Sequence, residues 1–217
     1  MNYIQWYDGI YIRKGIEGRN NDAWLIVEII NHDEYKLNSI NFQNVNTILD
    51  VGASMGIFSI LAHKKFPKAK ITCIDPNPHT IGLLKKNVKS FATVIEGALS
   101  YEKDIYMVFG ETDFEAGVST NPRSKDYKVQ PYTLKELIPN GCDLLKLDCE
   151  GGEYDLFEKE DLSNIKYIIG EWHNTNRWNA FMINYVRKFP YWEYNTLVQH
   201  GFNGNFYMRN LQYESIS

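Results

Sequence analysis

Six side chains carry most of the chemistry this sequence can offer: Asp50, Asp75, Asp148, Glu150, Glu171 and His173. Carboxylates bind cations and accept hydrogen bonds from hydroxyls. Beside an imidazole they can also take up a proton. Between the first two acids lies the turn Gly52-Ala53-Ser54-Met55-Gly56. Glycines let backbone come close to a ligand. A dinucleotide site would have the spacing G-x-G-x-x-G and turn its amides to a pyrophosphate. Here position 54 is serine, and Asp50 precedes the turn. A carboxylate there repels a pyrophosphate and suits an ammonium group. Asp75 stands where a ribose hydroxyl needs an acceptor.

These acids must be positioned by alternating strands and helices. Apolar runs predict strands over 47–51, 70–75, 93–98, 142–148 and 166–170, with two late strands near 192–198 and 206–211. Helices are predicted over 56–66, from Asn77-Pro78 onward with Ile81, Leu84 and Val88 as the apolar stripe, from Gly152 through Phe157, and around Phe181, Tyr185 and Val186. Thr133 and Glu136 form a capping box for a short helix. Residues 104–109 and 128–130 read as extra strands, and 110–121 as a polar loop holding Glu111, Asp113 and Glu115. The segment 23–30 reads equally as strand or short helix. This alternation implies an α/β fold with a doubly wound, mostly parallel seven-stranded sheet and an antiparallel edge hairpin. Asp50, Asp75, Asp148 and Glu171 then share one rim, the carboxyl ends of the strands, where such sheets bind ligands. Leu144, Lys146 and Asp148 share one strand face, so a lysine inside a central strand needs a partner among those acids.

The chain has 217 residues, 44% hydrophobic and 23% charged, with a formal net charge of −4. That balance argues against a nucleic-acid face. No charged-then-apolar leader and no span of membrane-crossing length is visible. Cys73, Cys142 and Cys149 form no C-x-x-C pair, which points to a reducing, cytoplasmic setting. The expected division is an amino-terminal segment, 1–46, as lid or substrate cap, and a catalytic domain, 47–217. A ligand with both an ammonium group and a ribose is S-adenosylmethionine, and the acids Asp50 and Asp75 fit its two ends.

Four blocks in order carry a family resemblance: Leu49-Asp50-Val51-Gly52-Ala53 with Gly56, Asp75-Pro76-Asn77-Pro78 with Leu84 and Asn87, Leu145-Lys146-Leu147-Asp148-Cys149-Glu150-Gly151-Gly152-Glu153, and Gly170-Glu171-Trp172-His173. Together they resemble the FkbM family of S-adenosylmethionine-dependent methyltransferases over about 47–174. The resemblance implies a class I (Rossmann-like) fold and O-methylation of a sugar, polyketide or related small molecule. It implies that Asp50, Gly52, Ala53, Ser54 and Gly56 surround the methionine part of the cofactor, that Asp75, Pro76 and Asn77 hold the ribose, and that Gly97 and Ala98 border the adenine. Asp148 joins the cofactor side of the rim. Ser54, Asp75 and Gly152 depart from the family's frequent asparagine, glutamate and alanine.

Methyl transfer to a hydroxyl needs positioning and a proton acceptor. Glu150, Glu171 and His173 are the candidates. Glu153 reads as a helix-start acid. Asp148, Glu150, Glu171 and His173 could also hold Mg²⁺ or Mn²⁺. Trp172, Trp178, Tyr185 and Trp192 form either a sugar platform or ordinary core. The expected partner is a small-molecule acceptor, with neither nucleic acid nor membrane, and oligomers are permitted. Two rival classes are a non-catalytic S-adenosylmethionine-binding protein and a nicotinamide oxidoreductase. The latter's short-chain form needs Tyr-x-x-x-Lys, which is absent.

Overall fold

Seven strands make one sheet: β1 (Thr47–Val51), β2 (Lys70–Asp75), β3 (Ala92–Glu96), β4 (Cys142–Leu147), β5 (Ile165–His173), β6 (Trp192–His200) and β7 (Asn203–Asn210). The structure, a computed structural model, describes residues 3–13, 21–109, 116–121, 127–149, 152–188, 191–200 and 203–213. The order across the sheet is β6-β7-β5-β4-β1-β2-β3. Neighbours from β5 to β3 are parallel, and β7 runs antiparallel to both β5 and β6. The sheet is therefore mixed and mostly parallel. Its closing hairpin puts the second strand inside and the first at the edge.

The helices α1 (Ile57–Lys65), α2 (Ile81–Val88), α3 (Glu153–Lys159) and α4 (Thr175–Lys188) cover both faces. On one face Leu145, Leu147 and Ile168 pack with Tyr154, Leu156, Phe157 and Trp178. On the other, Ile48, Leu144 and Ile169 pack with Phe58, Ala62, Leu84 and Val88. Burial on both faces is why β1 and β4 read as nearly continuous apolar runs. Trp172, Trp178 and Tyr185 are buried, and the two indoles stack at 5.2 Å. These aromatics are core and not a surface platform.

Three departures from the sequence reading have local causes. The second helix begins at Ile81, after Thr80, and not at Asn77-Pro78. The Asp75 and Asn77 side chains capture the amides of Asn77 and His79, so a turn forms first. Strand β5 runs on through His173, because Glu171, Trp172 and His173 pair with Asn205, Gly204 and Asn203 of β7. Within the expected loop, Ala116–Ser119 is a strand that pairs with Ile105–Phe109, which also pairs with Tyr127–Val129. Glu111, Asp113 and Glu115 lie outside the described residues.

The amino-terminal segment starts with a hairpin, Tyr3–Gln5 with Tyr11–Arg13. Asn87 of α2 ties it down, accepting from Tyr11 N at 2.8 Å and donating to Tyr11 O and to Met55 O. A helix, Asn21–Ile26, then widens into a π turn, Val27–Asn31, which resolves the strand-or-helix ambiguity. Beyond it Tyr35, Leu37, Phe42 and Val45 are buried in the same cluster as Ile48 and Leu144.

At the centre of the sheet the register sets Lys146 of β4 beside Asp50 of β1. Their side chains are 3% and 0% exposed, with Nζ 3.3 Å from Asp50 Oδ1. Burial disfavours the ammonium, but Asp50 and then Asp148 outweigh it and hold its pKa above the usual lysine value. Ser59 Oγ of α1 donates to Asp50 Oδ2 at 2.7 Å. Removing one partner of such a pair strands a buried charge, at about 3–5 kcal/mol. Lys146→Met is expected to lose about that much stability in urea denaturation, and adding Asp50→Asn to recover part of it. A Lys146→Met chain as stable as its parent contradicts this.

Candidate active site

Strand β1 delivers the chain into the glycine turn, where Gly52 has φ 71° and Ser54 φ 50°. A Cβ on Gly52 would sit 1.7 Å from Asp148 O. Glycine is required here by the neighbouring strand end. Ser54 accepts a left-handed backbone that costs roughly 1–2 kcal/mol for a residue with a Cβ. What holds it is Asp75, whose Oδ2 accepts from Ser54 N at 2.7 Å. Gly52 N and Ala53 N both donate to Ile74 O, at 3.0 and 3.2 Å, and Gly56 N donates to Ala53 O. These amides of the turn are engaged, so they offer no cradle to a pyrophosphate. That counts against the nicotinamide reading.

Asp75 is 5% exposed and also accepts from Asn77 N at 2.9 Å and Thr80 Oγ1 at 3.2 Å. Burial pushes its carboxyl up to about 6, against those three hydrogen bonds and the more distant Lys146. It faces a cavity of about 640 Å³ over the carboxyl edge of the sheet. Gly52, Ser54, Pro76, Asn77, Gly97 and Ala98 share that wall with it, and Asp148 and Glu171 stand on the other side. Gly97 N donates to Asp75 O, and a Cβ on Gly97 would meet Gln130 O at 2.5 Å.

Asp148 follows β4. Its Oδ2 accepts from Tyr35 Oη at 2.9 Å and lies 3.6 Å from Lys146 Nζ. The same ammonium donates to Gly52 O at 2.8 Å and Val51 O at 3.3 Å. Burial first, then the charges of Asp148 and Glu34, keep the Tyr35 hydroxyl well above its usual pKa, so it remains a donor. His173 N donates to Glu153 Oε1 at 3.0 Å; its Nδ1 is 3.5 Å from that oxygen and its Nε2 4.0 Å from Glu171 Oε1. Glu153, fully buried, thus ties α3 to β5 and does more than complement a helix dipole.

The structure sorts the expected residues. Gly52, Ser54, Asp75, Pro76, Asn77, Gly97, Ala98, Asp148 and Glu171 share the large cavity. Ala53 lines a smaller adjoining one. Asp50 lines neither: it is wholly buried, with Lys146 and Ser59 against its two oxygens. Gly56 lines neither cavity; it caps α1 with φ 87°, against Leu84 and Val88. His173 lines neither and sits behind Glu171. Glu150 lies outside the described residues. Donor atoms of Asp148, Glu171 and His173 come within 4.8 Å of one another. Asp148 already accepts Tyr35 and faces an ammonium, which weakens it toward a second cation. We assign no metal there.

Sequence reasoning missed Glu34 and Tyr35, which line the smaller cavity. No motif surrounds them.

A family model for the methyltransferase FkbM domain matches residues 50–195. The chain belongs to the FkbM methyltransferase family. It is a methyltransferase, with the S-adenosylmethionine-dependent fold of that family. A methyltransferase FkbM from Methylobacillus flagellatus KT is 13% identical, with TM-score 0.54, over 80% of this chain and 46% of that one. The plantazolicin methyltransferase BpumL, solved with S-adenosylhomocysteine (SAH), is 12% identical, with TM-score 0.51, over 87% of this chain and 84% of that one. At such identities the likeness concerns the fold. No curated protein matches the chain.

The raised pKa of Asp75 has a sign that can be checked. A carboxyl held above its unfolded value stabilises the ligand-free fold at low pH and loses that contribution as pH rises from about 4 to about 6. Ligand hydroxyls need the ionised form, so binding runs the other way. For 5′-methylthioadenosine, which has the ribose but no amino-acid end, affinity is expected to fall about tenfold per pH unit below about 6. Calorimetry from pH 5 to 8 measures this, and Asp75→Asn should remove the acid limb.

Proposed function

We propose that this methyltransferase transfers the methyl group of S-adenosylmethionine to a hydroxyl of a small, uncharged, polyhydroxylated acceptor of the sugar kind. One observation carries the reading: Asp75 and Glu171 face the same cavity from opposite sides of the glycine turn, one fit for ribose hydroxyls and one for a reacting hydroxyl. When bound, the cofactor supplies an electrophilic methyl on a sulfonium. Asp75 accepts the ribose hydroxyls, while Pro76, Asn77, Gly97 and Ala98 border the nucleoside. Glu171 takes the acceptor's proton as the new bond forms. His173, between Glu153 and Glu171, orients that carboxylate. The acids Asp148, Asp155, Glu102 and Glu171 in the cavity wall, against Arg177, disfavour an anionic acceptor.

The test is transfer of labelled methyl from S-adenosylmethionine to neutral monosaccharides, amines, nucleotide sugars and RNA. The expected product is a base-stable and acid-stable methyl ether on a neutral sugar. Glu171→Gln should lower turnover about 10²–10⁴-fold, the range for losing a general base, and change SAH affinity far less. Label confined to amines or RNA, or full turnover in the variant, would defeat the reading.

A further inference from the structure

Asp75, Gly97 and Ala98 line the large cavity from the ends of β2 and β3, on one side of the glycine turn. Asp148, Asp155, Glu171 and Arg177 line it from the other side, where β4 and β5 end and α3 and α4 begin. Among the described residues Arg177 is the one lysine or arginine in that wall. A tight turn places it. Asn174 follows β5 with φ 71°, and its Oδ1 accepts from Arg177 N at 3.2 Å. The guanidinium then lies over the ring of Tyr154, with its carbon 4.1 Å from the centroid. That ring is buried, and its hydroxyl donates to His173 O at 2.5 Å, so the platform under the guanidinium is fixed. Stacking occupies the face of the guanidinium and leaves open the edge that carries its N–H donors. Asp155 Oδ1, at 4.0 Å from Nη2, is too far to accept from it. The other oxygen of Asp155 accepts from Lys159 Nζ at 3.3 Å. Arg177 is half-exposed and open to an incoming molecule.

A charged donor and a charged acceptor thus stand 4.0 Å apart in one wall without bonding each other. A hydroxyl both accepts and donates, so it can bridge such a pair; an ether, a ketone or an ammonium engages one member only. An anion would gain Arg177 but meet Asp148, Asp155 and Glu171 as well. We propose that Arg177 is a specificity-determining residue for the acceptor. Its guanidinium edge donates to two neighbouring hydroxyl oxygens, one of which donates onward to Asp155, and this pair adjoins the hydroxyl whose proton Glu171 takes. This deepens the proposed function and rests on it. The planar fork can address two oxygens at once, whereas a lysine ammonium is a single point of charge. Glu171 and Arg177 flank the Asn174 turn, so base and donor reach one acceptor from the end of the same strand.

Calorimetry on the SAH-saturated full chain tests this with the methyl α-glycosides of glucose, mannose and galactose, each beside its monodeoxy forms and its uronic acid. The wild type is expected to bind a neutral glycoside and to lose about 10–100-fold when one hydroxyl of a neighbouring pair is removed, the range for a hydrogen bond to a charged group. Arg177→Met should weaken the parent glycoside by about that factor and bind parent and deoxy form alike. Arg177→Lys should recover little of the loss. In turnover, Arg177→Met should raise KM for the glycoside far more than it lowers kcat. Binding of SAH by each variant shows that it is folded. An Arg177→Met chain that still separates parent from deoxy form as the wild type does overturns the proposal and leaves the proposed function standing. An Arg177→Lys chain equal to the wild type does the same. Tighter binding of a uronic acid than of its neutral glycoside makes Arg177 a carboxylate anchor and overturns it too. If no neutral glycoside binds or accepts label, the proposed function falls with it.

Discussion

A lysine ammonium with almost no access to water joins the two central strands, and the site is arranged around it. Lys146 is held by Asp50 and by the carbonyls of Val51 and Gly52, with Asp148 just beyond. Taking such a pair out of water is costly, so it persists only where every group around it is engaged. The carbonyls come from the last residue of β1 and the first after it, and Asp148 is the first residue after β4. One cation therefore fixes the relative height of two strand ends and the turn between them. Gly52, with the Asp148 carbonyl in the place of a side chain, is the steric side of the same junction.

Asp75 plays the complementary part at the next strand. Its two oxygens gather amides from Ser54 and Asn77 and the Thr80 hydroxyl, so it shapes the loops after both β1 and β2. The hydrogen bond to Asp75 offsets the cost of the left-handed backbone at Ser54, because that conformation is what points its amide at the carboxylate. The binding wall is thus held by carboxylates that also face the ligand. Protonation of Asp75 couples local order to ligand affinity, with opposite signs for the empty and occupied states.

Much of this was legible in sequence, for reasons that differ by element. Strands β1 and β2 were placed to the residue, since buried parallel strands are apolar on both faces and these two end abruptly, one before Gly52 and one at Asp75. The parity of Leu144, Lys146 and Asp148 showed that Lys146 needed an acidic partner. Parity alone does not give register, and register chose Asp50. The same missing information hid that Asp50 is spanned by Lys146 and Ser59. Strand β5 read as ending at Gly170, because Glu171 and His173 are polar. It continues because β7, which sequence distance hides, pairs with it to the end. The helix after Asp75 started late, because side-chain capture of backbone amides competes with helix initiation and leaves no trace in the apolar stripe.

The amino-terminal segment shows most clearly where function exceeds pattern. Its place before the first motif suggested a lid. Tyr35, however, is 3% exposed, packs edge-on against Phe58 and donates to Asp148. Leu37, Phe42 and Val45 continue into the same core. Glu34, next to Tyr35 in the chain, lines the smaller cavity from this packed segment. Opening the site at that point would require breaking the Tyr35–Asp148 bond and exposing an aromatic ring. A solvent-facing lid would do neither. The large cavity is bordered on another side by Ile105, Met107 and Val118, from a small three-stranded sheet outside the main one.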